Sequence, residues 1–118
     1  MVWYTYGNTL YNTKANMNIR VLPSALKHGV SVNDVVYGWS HLKVCIRRVG
    51  KENPPRYLAV GFLNNGNLIE LIGFQDSAGT WFIFHAMCPP TRKFLTEIEK
   101  NIRTVSYTHL TLPTNREV

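Results

Sequence analysis

Arg56-Tyr57-Leu58-Ala59-Val60-Gly61-Phe62-Leu63-Asn64-Asn65-Gly66-Asn67-Leu68-Ile69-Glu70-Leu71-Ile72-Gly73-Phe74 carries the clearest local pattern in the sequence. Two apolar runs flank Asn65-Gly66, a dipeptide that readily adopts the left-handed backbone of a tight hairpin. The pattern predicts strands over Arg56–Leu63 and Asn67–Phe74, paired antiparallel through a two-residue turn. Working toward the C-terminus, Asp76–Gly79 makes another turn. Thr80-Trp81-Phe82-Ile83-Phe84-His85-Ala86-Met87 follows, and it is apolar on both faces, as a central strand must be. Toward the N-terminus, Val44 and Ile46 begin a strand pattern from Lys43, separated from the hairpin by a loop rich in Gly50, Asn53, Pro54 and Pro55. An antiparallel meander of about four strands results.

Helical signals bracket that meander. In Pro23-Ser24-Ala25-Leu26-Lys27-His28-Gly29, Ser24 is placed to cap a short helical turn and Gly29 to end it. Ser31 restarts a helix with Asp34 as its capping-box partner, and Val30 and Val35 are spaced as a hydrophobic staple. Val32, Val35, Val36 and Trp39 form an apolar stripe, and Gly38 weakens the helix near its end. After Pro89 and Pro90, Phe94, Ile98 and Ile102 recur at helical spacing, with Glu99 and Arg103 four residues apart. N-terminal helices, a meander and a C-terminal helix belong to the α+β class. Residues 17–104 read as the domain. Met1–Asn16 shows no helical or strand period and reads as an extension, with Met17 a second plausible start. Val105–Val118 breaks the preceding pattern and reads as a non-native tail, similar to translated sequencing adapter.

A chain of 118 residues with 45% hydrophobic content supports a single core. Its net charge of +6 suits an anionic partner, whether nucleic acid, an acidic protein or a membrane surface. Cys45 and Cys88 lie in apolar runs without ligand spacing, so buried reduced thiols are expected. No apolar run reaches the length of a membrane span, and the N-terminus lacks a leader pattern. A soluble, cytoplasmic protein is the expectation.

The histidines His28, His41, His85 and His109 have no companion spacing that builds a metal site. Neither a glycine-rich phosphate loop nor a nucleophile-elbow motif is present, and the carboxylates are too scattered to suggest a paired acid and base. No cofactor is implied.

The order of motifs carries a resemblance. Leu26-Lys27-His28-Gly29-Val30-Ser31 is similar to the lysine-histidine-glycine-valine-serine turn near the start of BrnT-like toxins. Phe84-His85-Ala86-Met87, followed by Arg92-Lys93-Phe94-Leu95, resembles the last strand and the start of the final helix in actinobacterial-type relatives of that family. Leu58-Ala59-Val60-Gly61 and Leu68-Ile69-Glu70-Leu71 sit where the family places its middle hairpin, so the resemblance spans about residues 19–98. It implies a RelE-like fold, endoribonucleolytic inhibition of translation by the toxin of a type II toxin–antitoxin pair, and an antitoxin partner with a ribbon-helix-helix type of DNA-binding domain. The chain departs from the family at the end of the last strand, where Ser-Ala-Arg is usual and His85-Ala86-Met87 stands here. An arginine expected to face RNA is thereby missing.

Metal-independent RNA cleavage needs a base for the 2′-hydroxyl, an acid for the leaving oxygen, and cations for the charge gathering on phosphorus. His85 is the leading candidate, because simple alternation puts it on the face of Trp81, Ile83 and Met87 near a strand end. The competing reading is a core histidine with satisfied ring nitrogens. Arg92 and Lys93 open the terminal helix, where free amides and the dipole attract phosphate, or else they are ordinary solvated charges. Arg56 has a guanidinium suited to bidentate phosphate contact, or an edge-strand solubility role. Lys27 and His28 are candidate RNA contacts, although the helix-end dipole alone accounts for them. Arg47, Arg48 and Lys51 form a basic loop that binds an RNA backbone or faces water. Two other functions compete with the ribonuclease: a non-catalytic partner-binding module that keeps the toxin fold, and a basic RNA-binding protein.

Overall fold

The computed structural model describes residues 18–104 in full, together with the backbone of Val2–Tyr6, Thr9–Thr13 and the C-terminal helix as far as Thr108. In chain order the elements are β1 (Val2–Tyr6), β2 (Thr9–Thr13), β3 (Ile19–Val21), a 3-10 turn (Pro23–Leu26), α1 (Val32–Ser40), β4 (Leu42–Arg47), β5 (Tyr57–Phe62), β6 (Leu68–Gln75), β7 (Trp81–Met87) and α2 (Arg92–Thr108). The α+β class holds. The expected meander is β4 to β7, each strand antiparallel to the next.

Strand number and helix placement differ from expectation. The sheet is mixed, in the order β2-β1-β3-β7-β6-β5-β4, because β3 adds parallel to β7 and β1 adds parallel to β3. Trp81 to Met87 is thus central, as its two apolar faces require. One α-helix, not several, precedes the meander, and Pro23–Leu26 forms only a 3-10 turn. Ser24 does not cap that turn, since its hydroxyl donates to the Phe84 carbonyl on β7 at 2.7 Å. Within the segment read as an extension, Val2–Tyr6 and Thr9–Thr13 pair as an antiparallel hairpin, despite the absence of a strand period. The rest of that segment, Met17 and the tail beyond Thr108 lie outside the described residues, as does His109. Among the described residues, no helix is long and apolar enough to cross a membrane.

The two helices cover opposite faces of the sheet. Val35, Val36 and Trp39 of α1 pack with Ile19, Val21, Ala59, Ile69, Leu71 and Ile83. Phe94 and Ile98 of α2 pack with Leu58, Val60 and Ile72, whose side chains alternate to the other side. Ile102, the third member of the expected stripe on α2, is instead exposed. Ser31 caps α1 as anticipated, accepting from the Asp34 amide at 3.1 Å, and both Val30 and Val35 are buried. Gly38 does more than loosen that helix. A Cβ there would lie 2.5 Å from Ile69 Cγ2, and one on Gly61 would lie 2.0 Å from the Gly38 carbonyl oxygen. The Gly38–Gly61 pair therefore lets α1 rest directly on β5.

The β5–β6 hairpin closes through three residues rather than two. Leu63 accepts from Gly66 and donates to Asn67, leaving Asn64, Asn65 and Gly66 as the loop, with Gly66 at φ +88°. A type I turn followed by a left-handed residue gives this geometry, and glycine meets its last position without a Cβ penalty.

Candidate functional site

Strand β7 carries a bulge that reverses its side-chain alternation. Gly73 pairs with Ile83 and Ile72 with His85, so Phe84 is an extra residue on β7. His85 consequently joins the α2 face of Ile72, opposite Ile83 in the α1-side core, and not the face of Trp81 and Ile83 that unbroken alternation predicts. Gly73 permits the irregularity, since a Cβ there would meet the Phe82 carbonyl oxygen at 2.8 Å.

That reversal brings His85 to Glu70. His85 Nε2 lies 2.6 Å from Glu70 Oε2, and the Glu70 side chain is only 5% exposed against 24% for His85. Glu70 Oε1 accepts from the Thr91 amide at 2.9 Å and from its hydroxyl at 3.1 Å. Thr91 in turn caps α2, because its Oγ1 accepts from the Phe94 amide at 3.2 Å. One carboxylate thus ties the end of β7 to the start of α2, where the helix dipole favours a negative group. Glu70 was legible as an anomaly: a lone carboxylate inside an apolar strand is rarely buried without a partner.

His85 Nδ1 has no hydrogen-bond partner among the described residues. The ring of His28 meets that of His85 edge-on, with centroids 5.6 Å apart. His28 and Lys27 are exposed just before Gly29, whose φ of +81° turns the chain back toward α1. A histidine anchored through one nitrogen and open at the other can transfer a proton to or from a bound group.

The remaining candidates are distributed differently. Arg92 and Lys93 are exposed in the first turn of α2, but Thr91 and Glu70 already engage its capping position, so its amides are less open than expected. Arg92 borders a groove along α2 with Leu95, Glu99 and Ile102. The Arg56 guanidinium lies 5.1 Å from the Phe74 ring centroid and 5.2 Å from that of Phe84. Arg48 leaves the proposed basic loop: it makes two contacts to Glu97 of α2, at 2.6 and 3.0 Å. Next to it, the buried Asn101 accepts from the Val49 amide and donates to the Glu97 carbonyl at 2.7 Å. Arg47 and Lys51 remain exposed.

Both cysteines are free but occupy exposed positions, contrary to the expected burial. Cys45 is on the edge strand β4 and Cys88 follows the end of β7, where local apolar sequence does not place a residue inside. Partial shielding of its sulfur nevertheless pushes the Cys45 thiol up to about 11. Among the described residues, no three His, Cys, Asp or Glu side chains converge as metal ligands. Comparison with protein-family models, curated proteins and solved structures finds no match to this chain.

Proposed function

We propose that this protein is a toxin of the BrnT-like, RelE-like kind, a metal-independent endoribonuclease that inhibits translation and is held by a cognate antitoxin. The observation that carries the proposal is the His85–Glu70 contact at 2.6 Å, with the second ring nitrogen of His85 open. Glu70 orients the imidazole, and His85 Nδ1 exchanges the proton of the 2′-hydroxyl or of the leaving oxygen. Lys27 and Arg56, together with Arg92 and Lys93 from α2, supply the positive charge that a phosphate needs, and the His28 ring stands beside that of His85. Met87 is the direct cross-strand neighbour of Glu70. Being uncharged, it leaves the carboxylate to His85, whereas an arginine at that position would compete for it.

Induction in bacterial cells tests the proposal. Growth should stop and messenger RNA should be cut, and both effects should disappear in His85→Ala or on co-expression of a cognate antitoxin. Unimpaired growth and intact transcripts, with the partner still bound, would overturn the ribonuclease reading.

A second reading is a partner-binding module that retains the fold without catalysis. It is favoured by the three contacts that Glu70 makes, which also act as a structural strut for α2. Under that reading a Met87→Arg substitution restores RNA cleavage to a protein that otherwise has none.

A further inference from the structure

Two features of α2 are left over once its packing on the sheet is described. Ile102 continues the stripe of Phe94 and Ile98 yet is exposed, as is Leu95. The Glu99–Arg103 pair, spaced for an ion pair within the helix, does not close, since among the described residues the ion pairs are Arg48–Glu97 and His85–Glu70. Pro90, Arg92, Leu95, Ile98, Glu99 and Ile102 border one groove along the helix. Arg92 and Glu99 are both exposed there, and neither has an ion-pair partner among the described residues. At the helical rise, Arg92 and Glu99 are about 10 Å apart along α2, and so are Leu95 and Ile102. Lys93 and Lys100, at about 3.6 residues per turn, fall on the side away from the groove.

We propose that this groove is a contact between two copies of the chain, in which α2 packs antiparallel on α2 of the second copy across a two-fold axis beside Leu95. A two-fold axis requires that where one residue meets a second, the second also meets the first. The register that sets Arg92 against the copy's Glu99 therefore forms that ion pair twice. It also brings the two Leu95 side chains together, because Leu95 lies beside the midpoint between Arg92 and Glu99, and it lays Ile102 over the copy's Pro90. Every exposed group of the groove thus meets a complement in one arrangement. Parallel pairing sets Arg92 against Arg92, and sliding the helices by one turn sets a charge against Leu95 or Ile102. The groove carries its own counter-charge, which is the reason to assign it to a second copy. A contact of one helix with one helix is smaller than a standard interface, so the dimer forms at high micromolar concentration. The inference does not depend on the ribonuclease reading. An Arg92 held by Glu99 is not free for a phosphate, so the dimer and RNA compete for it.

Sedimentation equilibrium of the full chain tests the pairing, at concentrations rising to the high micromolar. The parent should pass from one chain mass to two. Arg92→Glu and Glu99→Arg each place like charges across the axis, and each should dimerise about tenfold more weakly or worse. Mixed in equal amounts, the two variants should recover dimerisation close to that of the parent, since each supplies the charge that the other lacks. Circular dichroism melting verifies that each variant folds. A parent that stays at one chain mass would overturn the proposal and leave the groove to another segment of this chain or to an antitoxin. A dimer that the charge reversals leave unchanged, or two variants that do not pair when mixed, would overturn it as well.

Discussion

Glu70 has almost no contact with water, and each of its two oxygens has a defined partner. Replacing it with alanine leaves the Thr91 amide without its acceptor and His85 without its support. A loss of about 2 kcal/mol is expected, from the cost of stranding hydrogen-bonding groups, and denaturant unfolding measures it. Glu70→Gln, which keeps the shape, should retain most of that stability and still slow any cleavage that depends on His85 orientation. A different residue-scale consequence concerns Cys45. With the thiol pushed up to about 11 from the ordinary value of 9.0, its thiolate fraction at pH 8 falls about a hundredfold. Iodoacetamide should therefore modify a Cys88→Ser variant far more slowly at pH 8 than it modifies free cysteine, and urea should abolish the difference. His85 was legible as the candidate histidine from its place at a strand end. Its partner was not, because Glu70 becomes its neighbour only through a bulge, and no local pattern marks Phe84 as the extra residue.

At the scale of elements, the strands of the meander were readable because alternation and turn residues agree at each boundary. The hairpin loop gained a residue because the Gly66 amide turns back to the Leu63 carbonyl while Leu63 pairs with Asn67, a choice that the Asn-Gly dipeptide alone does not determine. The parallel placement of β3 on β7 was not readable, since pairing between residues 19–21 and 81–83 is a long-range property of the whole sheet. The contact of α1 with β5 was equally hidden. Gly38 looked like a weak helix position, whereas its function is to admit Gly61 at close range. Gly61→Ala forces a side chain against backbone atoms of α1, and it should destabilise the protein by about 1–3 kcal/mol or more, seen as a lower melting temperature. The β4–β5 loop is tied to α2 by Arg48–Glu97 and by Asn101. Asn101 is 5% exposed, while the ion-pair side chains are 27% and 35% exposed and partly screened. Asn101→Ala should therefore cost about 1–3 kcal/mol, against about 1 kcal/mol or less for Arg48→Ala.

For the molecule as a whole, the net charge of +6 pointed to an anionic partner without choosing one. The sheet places Arg20, Arg56 and three phenylalanines on the face that also holds His85. Composition contains these residues, but only the strand order β3-β7-β6-β5 assembles them into one surface, with Arg56 entering just before β5. On the proposed function, RNA binding should weaken steeply as salt rises, with a shallower slope after Arg56→Gln or Arg92→Gln. The most direct measurement is cleavage of a messenger RNA by the purified protein in excess EDTA, comparing the parent with His85→Ala. The parent should cut with the chelator present, and the variant, folded to the same melting temperature, should be slower by about a hundredfold or more. RNA left intact by the parent, or cut equally well by the variant, would contradict it.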